Sequence, residues 1–315
     1  MNYQYILQRL ILAVVVVLGV TFAVFSIVQL VPGDPARVIL GVQANEENVA
    51  VMHERMGLNR PFFEQYFSWL GGVVRGDFGT SLITSQSVSD QIAARLPATL
   101  QLAFASLFIG LAIAFPLGII SAMYPRSPID LFASLISQIG VSIPDFWMGI
   151  LLILLFSLSL GWLPPSGYTP IDEDFGDWLA HIILPAMTAG LISGSIQTRF
   201  IRSAMLEVLG ESYIRTAYAK GLSRNVVISR HALRNAMITI VTIIGLQMTA
   251  LFSAVVVVEI VFTWPGLGDL SLEAVLDRDY PLLQGTVLTL AVIVTFINLF
   301  VDIIYFFLDP RIEYA

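Results

Sequence analysis

The residues of this chain with the widest chemical repertoire are few, and their spacing excludes most of the chemistry they could do. Lys220 is the single lysine in 315 residues, and Gly221 follows it. A phosphate-binding P-loop needs Gly-Lys-Ser/Thr at a strand-to-helix turn; the context here is AYAKGLS. This chain is therefore not expected to hydrolyse ATP by that route. His53-Glu54 opens as a zinc-protease helix does, but Gly57 stands where the second histidine is needed. The other histidines, His181 and His231, lie far from it. No G-x-S-x-G surrounds any serine, and the absence of cysteine excludes disulfides, thiolate metal sites and a cysteine nucleophile. The chain is expected to be no enzyme, with no catalytic residue, metal ligand or bound cofactor.

Three carboxylates, Asp145, Glu259 and Asp302, lie in or beside apolar runs. Ionisable groups at membrane depth are costly and mark pathways by default, whereas their places near segment ends favour capping and packing. Asp145 follows the helix-breaking Pro144 and is placed to cap the next segment. Asp302 is placed to pair with Arg311 or a neighbour. Asp145, Glu259 and nearby Trp264 stand as candidates for a translocation path or gate. A proton relay needs several facing carboxylates, and no such set is visible.

Basic residues are concentrated instead. Arg199, Arg202, Arg215, Lys220, Arg224, Arg230 and Arg234 are seven of the sixteen, all in one connection between apolar runs. Ile214, Ala217 and Tyr218 recur at i, i+3, i+4 and predict a short amphipathic helix. Gly221 supplies its stop. Ser223 is placed to cap a second helix with Val226, Leu233 and Met237 on one face. Such an island fixes the side of the bilayer it occupies, and its amphipathic helix suits a lipid surface or a partner's groove.

The elements that must carry these residues are membrane spans. Hydrophobic residues make up 57% of the chain and charged residues 12%, against roughly 25% charge in ordinary soluble domains. Six apolar stretches are long enough to span: Leu10–Leu30, Thr99–Met123, Leu131–Leu160, Ala180–Thr198, Ala236–Val258 and Leu282–Leu308. The first matches the ~20 residues a bilayer needs, longer than a signal-peptide core, and reads as a retained span. The third contains Pro144 and reads either as one kinked helix or as two pieces broken at SIPDF. Six spans place both termini on one side. Arg9, Arg126, the island and Arg311 make that side cytoplasmic, since positive residues stay inside. Residues 32–97 then form an extracytoplasmic segment, large enough for a small cap but not for a large independent core. The acidic stretches Asp172–Asp177 and Asp269–Asp279 face the same way.

The island carries a resemblance. YIRTAYAKG at Tyr213–Gly221, followed by LSRNVVISRHALRNA, resembles the cytoplasmic coupling-loop signature of ABC importer permeases, in the form of the dipeptide/oligopeptide/nickel subfamily. The general pattern has an acidic residue, two alanines and then a glycine. Here Arg215 replaces the acidic residue, Thr216 and Ala217 follow, Gly221 is kept, and Arg234 replaces a later proline; both departures resemble the peptide-type subfamily. PGDPA at Pro32–Ala36, GDFGTS at Gly76–Ser81, RLPATLQLA at Arg95–Ala103, SIPDFWMG at Ser142–Gly149 and LPPSG at Leu163–Gly167 are similar too. So are EIVFTWPGLG at Glu259–Gly268, RDYPLLQG at Arg278–Gly285 and DPRI at Asp309–Ile312, which extends the likeness over nearly the whole chain.

The resemblance implies an all-α membrane protein of the type I ABC importer permease fold. Its parts would be an N-terminal helix (1–31), the extracytoplasmic segment (32–97), a transmembrane domain (95–308) with the coupling loop at 199–235, and a tail (309–315). It implies a B-type permease for di- or oligopeptides, with nickel or glutathione-like solutes as alternatives. Partners would be a homologous C-type permease, two ABC ATPase subunits that use ATP and Mg, an extracytoplasmic solute-binding protein and membrane lipid, but no nucleic acid. Glu211, Tyr213, Arg215, Thr216, Ala217, Ala219, Lys220, Gly221, Leu222 and Ser223 would make the ATPase-coupling contact. A secondary transporter is the rival class, but it would show matched broken helices in inverted repeats; Pro144 has no counterpart.

Overall fold

A computed structural model describes residues 3–30, 35–40, 44–56 and 59–308. The tail from 309, with Arg311 and the DPRI motif, and most of the PGDPA motif lie outside the described residues. In the described residues α1 is Tyr3–Leu30, α2 Pro35–Leu40, α3 Glu46–Met56, α4 Phe62–Val74, α5 Val88–Met123, α6 Pro128–Ser142 and α7 Asp145–Leu152, continued by a π-helical stretch Ile153–Ser159. Then come α8 Phe175–Leu209, α9 Ser212–Ala219, α10 Arg224–Val226, a π-helical turn Val227–Ala232, α11 Leu233–Phe262, α12 Leu267–Leu276 and α13 Tyr280–Leu308.

Among the described residues, five helices are long and apolar enough to cross a membrane: Ile6–Ile27, Val88–Met123, Phe175–Leu209, Arg224–Phe262 and Tyr280–Ile304. A sixth crossing is made if α6 and the α7 segment count together, although they meet at a bend of 109°. The third apolar stretch is thus broken, not kinked. Ile143 is extended (φ −93°, ψ 127°) ahead of Pro144, because a proline ring excludes its predecessor from helical geometry. Pro144 itself occupies the cap position of α7, so Asp145 falls inside the first turn and does not cap it. Most of these helices overrun their apolar stretches, since an α-helix satisfies its own backbone on either side of the hydrocarbon.

The chain divides into two compact units, residues 1–98 with 265–296, and residues 99–264 with 297–315. In the first, α4 lies against α1 through an aromatic cluster in which Phe25 meets Phe62, Tyr66 and Trp69 at 5.4–5.6 Å between ring centroids. The start of α5 packs on α12 and α13, where Val88, Ile92, Leu267, Leu270, Ala274 and Leu282 form a core. Asp279 ties in the loop before α5. Its buried carboxylate accepts hydrogen bonds from Ser81 Oγ at 2.5 Å, Leu82 N at 3.2 Å and Leu282 N at 3.3 Å. The last third of the 32–97 segment thus packs against the start of the final apolar helix.

In the second unit α8 is the central helix: 56% of its apolar window is buried, against 28% for the α5 and α11 spans. Glycines let its neighbours approach. A Cβ added at Gly194 would stand 2.8 Å from Gly110 O and 3.1 Å from Gly110 Cα of α5, both backbone atoms. Gly140 of α6 meets Ser195 of α8 as closely. Small residues at such crossings provide the packing that lipid-immersed helices lack from hydrophobic drive. Gly194→Val should therefore destabilise the protein by about 1–3 kcal/mol, read as a lower melting point in detergent. Gly19→Ala, where nothing lies within 4 Å of the added carbon, should leave it unchanged or raised.

Candidate functional site

Helix α8 ends at Gly210, whose amide donates to Leu206 O and Glu207 O at 3.1 Å each. Glu211 then turns the chain in extended geometry (φ −68°, ψ 149°) and opens α9 without a side-chain cap. Two residues anchor α9. Ile214 and Ala217 are buried in a core with Ile201, Met205, Val227, Ile228, Ala232 and Ala236. A single hydrogen bond adds to this, from Asn235 Nδ2 of α11 to Tyr213 Oη at 2.7 Å. The opposite surface, with Tyr213, Arg215, Thr216, Tyr218, Ala219 and Lys220, is exposed.

The end of α9 is a Schellman motif. Gly221 N donates to Tyr218 O at 2.9 Å and Leu222 N to Ala217 O at 3.4 Å, the two bonds that define that stop. It requires a left-handed residue, and Gly221 has φ +80°, with open space within 4 Å of where a Cβ would stand. The glycine is thus demanded by backbone conformation, which only glycine adopts without cost.

Two expectations for the island are corrected. Tyr218 does not join the buried stripe: it is 43% exposed and lines a cleft of about 350 Å³ with Ala122, Met123, Leu209 and Arg224. Ser223 sits at the cap position of the second helix but makes no side-chain cap bond, and Val226 is exposed. The core face is instead Val227, Ile228, Ala232 and Ala236, with Leu233 and Met237 partly buried beside it. The π-helical turn explains the shift. Its i→i+5 bonding inserts an extra residue and so rotates the face expected from an unbroken α-helix.

The site is held by arginines of the basic island, which bear on topology, and by Asp130, which the sequence pattern did not single out. Arg202 of α8 grips Asp130 of α6 in a fork, Nε to Oδ1 at 2.6 Å and Nη2 to Oδ2 at 2.9 Å. Ser121 Oγ of α5 donates to the same carboxylate at 2.5 Å and the Arg126 amide at 2.8 Å. Arg224 donates to Met123 O at the end of α5, with its guanidinium 4.4 Å from the centre of the Tyr124 ring. The loop after α5, the end of α8 and the start of α10 are thereby fastened into one end of this unit. A signal for Asp130 was present: Ser127 caps α6, accepting from Asp130 N at 3.2 Å, with Pro128 in the first turn, the S-x-x-acid spacing of a capping box.

The other candidates lie at the far end of α11. Glu259 falls one turn before its C-terminus, and both Glu259 and Trp264 are fully buried. Trp264 stacks edge-on against Tyr168 at 4.7 Å, and its amide donates to Glu259 O at 2.9 Å. Burial, with the charges of Asp172 and Glu173, raises the Tyr168 phenol above its ordinary pKa. Asp145 is half-buried on α7; that helix touches α11 where Gly149 faces Phe262 and Val261.

The acidic residues of the 172–177 and 269–279 stretches are largely committed to structure. Asp174 caps α8 through Gly176 N at 2.8 Å and Asp177 N at 3.1 Å. Arg95 lies 3.6 Å from Asp269 and 3.7 Å from Glu273. The Asp269 carboxyl is raised by burial and by Glu273, with Arg95 opposing.

Two family models match this sequence: the N-terminal part of the binding-protein-dependent transport system membrane component over residues 2–103, and the binding-protein-dependent transport system inner membrane component over residues 114–314. The oligopeptide transport system permease protein AppB of Bacillus subtilis is 42% identical over 98% of this chain and 99% of its own length. The glutathione transport system permease protein GsiC of Salmonella paratyphi A is 40% identical over 99% of each. Among solved structures, the inward-facing MetNI methionine ABC transporter superposes with a TM-score of 0.57, covering 69% of this chain and 96% of that one at 19% identity. The fold is the all-α, type I ABC importer permease fold. Because the inner-membrane model spans most of the chain and both relatives match it end to end, this protein belongs to the binding-protein-dependent transport system inner membrane component family.

Proposed function

We propose that this chain is the B-type permease of an ATP-driven importer that carries di- or oligopeptides across the cytoplasmic membrane, with both termini in the cytoplasm. The observation that carries the reading is α9: a short helix anchored by two buried residues, exposed along its other face, and stopped by a glycine that only backbone geometry requires. That is the form of a part presented to another subunit. Residues Glu211–Ser223 would seat in a cleft of an ABC ATPase. Two such ATPases supply the energy, using ATP and Mg, while this chain binds no cofactor. A homologous C-type permease completes the pathway, and a solute-binding protein delivers substrate to the outer side, where residues 32–97 and the loops near Asp172 and Asp269 would receive it. ATP-driven closure would move α9 as a rigid body and rock the spans between inward- and outward-open states. Asp145, Glu259 and Trp264 would form part of the path or its gate, and the enclosure of Glu259 and Trp264 suits a closed gate.

Peptide substrates are supported by the relative named for oligopeptides; the relative named for glutathione keeps a γ-linked tripeptide as the second reading. The test is uptake by the complex reconstituted with its ATPase, second permease and solute-binding protein. Peptide-stimulated ATP hydrolysis and accumulation of labelled peptide are expected. Proton-coupled uptake that needs no ATPase would overturn the reading, and stimulation by glutathione or a nickel complex alone would replace the substrate.

A further inference from the structure

Helix α4 belongs to the segment expected to face water, yet it carries a stripe that water would not favour. Phe63 is 62% exposed, Phe67 64% and Val74 79%. At about 100° per residue these three fall within about 40° of one another, so the stripe runs the length of the helix. Glu64, Gln65 and Ser68 lie on a different side, while Phe62, Tyr66 and Trp69 face α1.

The contact with α1 sets the depth of α4. The two helices meet around Phe25 and Tyr66, with Phe22 also 5.5 Å from Tyr66 between ring centroids. Thr21 Oγ1 and Tyr66 Oη share a hydrogen bond of 2.9 Å. The apolar span of α1 runs to Ile27, so Phe25 lies about 3 Å and Thr21 about 9 Å inside its end at about 1.5 Å per residue. A helix fixed at that level cannot stand clear of the membrane while α1 crosses it. Interfacial amphipathic helices lie with their apolar face about 5–10 Å into the boundary between headgroups and acyl chains, the same depth.

We propose that α4 lies in the bilayer, in the leaflet where α1 ends, with Phe63, Phe67 and Val74 against lipid acyl chains and Glu64 and Ser68 toward the headgroups and water. The proposal requires only that α1 spans, not that any particular solute is carried. It also withdraws this face of α4 from any surface offered to a binding protein.

The absence of native cysteine makes the test direct. Single-cysteine variants F63C, F67C, V74C, E64C and S68C of the full chain, assembled with their partner subunits in phosphatidylethanolamine–phosphatidylglycerol vesicles, are labelled with a nitroxide. Collision with oxygen and with a water-soluble nickel chelate is then measured. The oxygen-to-nickel ratio should be several-fold higher at positions 63, 67 and 74 than at 64 and 68. Equal nickel access at both sets would place the stripe in water and overturn the proposal. Low access to both reagents at 63, 67 and 74 would mean that a protein partner covers it, and would overturn it equally. If one stripe variant fails to accumulate, the remaining two give the same comparison.

Discussion

Gly221→Val should leave the permease inserted and assembled but lower substrate uptake by about ten-fold or more, with basal ATP hydrolysis retained and its stimulation by substrate lost. The residue sits at φ +80°, and a Cβ added there would have nothing within 4 Å. The cost of the substitution is conformational, about 1–2 kcal/mol for a left-handed residue with a side chain and more for a β-branched one. That cost falls on the last turn of α9. The bonds from Gly221 N and Leu222 N to Tyr218 O and Ala217 O would be given up before the burial of Ile214, because a chain end frays more cheaply than a core opens. Lys220, Leu222 and Ser223 then lose their fixed places in the contact proposed for the ATPase. Gly221→Asn should retain much of the activity, since asparagine tolerates this geometry. Full uptake and full stimulation in the valine variant would remove α9 from the coupling role.

Arg202→Ala should lower the melting point in detergent by on the order of 10 °C, for a loss of about 3–5 kcal/mol when a buried charge is left unpaired. The two partners differ in what their loss exposes. The Asp130 side chain is 7% exposed and that of Arg202 30%. Removing the arginine strands a carboxylate that cannot reach water, with only Ser121 and the Arg126 amide left to bind it. Removing the negative charge by Asp130→Asn leaves an arginine that can turn outward, so its effect should be about half as large. The order of the two melting points is the measurement, and the reverse order would show that the arginine, not the carboxylate, is the trapped charge.

The spans and the island helix were legible because the physics behind them is local. A bilayer demands about twenty apolar residues in a row, and a short helix demands an apolar stripe and a stop; Ile214, Ala217 and Gly221 met those demands. What escaped was not local. Asp130 and Arg202 are 72 positions apart, and neither announces its partner. Asp279 read as one charge of an acidic loop, but it is a buried acceptor for Ser81 and Leu82, which lie almost two hundred positions earlier in the chain. Val226 was assigned to a core face by a 3.6-residue period that the π-helical turn after it breaks. Pro144 signalled interruption, but not whether the two pieces would remain roughly collinear or fold to 109°.

The length of α8 has a mechanical consequence. Its 35 residues extend about 52 Å, against about 30 Å of hydrocarbon. In the proposed importer the helix would act as a lever with an arm outside the lipid, jointed at Pro185, which removes one bond of its interior ladder, and α9 would hang from its tip. A few degrees of tilt imposed at the tip would be returned as displacement along the helix, with the Arg202–Asp130 fork as the nearest fixed point and the glycine crossing at Gly110 and Gly194 beyond it. Stiffness between Asp174 and Gly210, more than any single contact, would then set how much of an ATPase's stroke reaches the far side of the membrane.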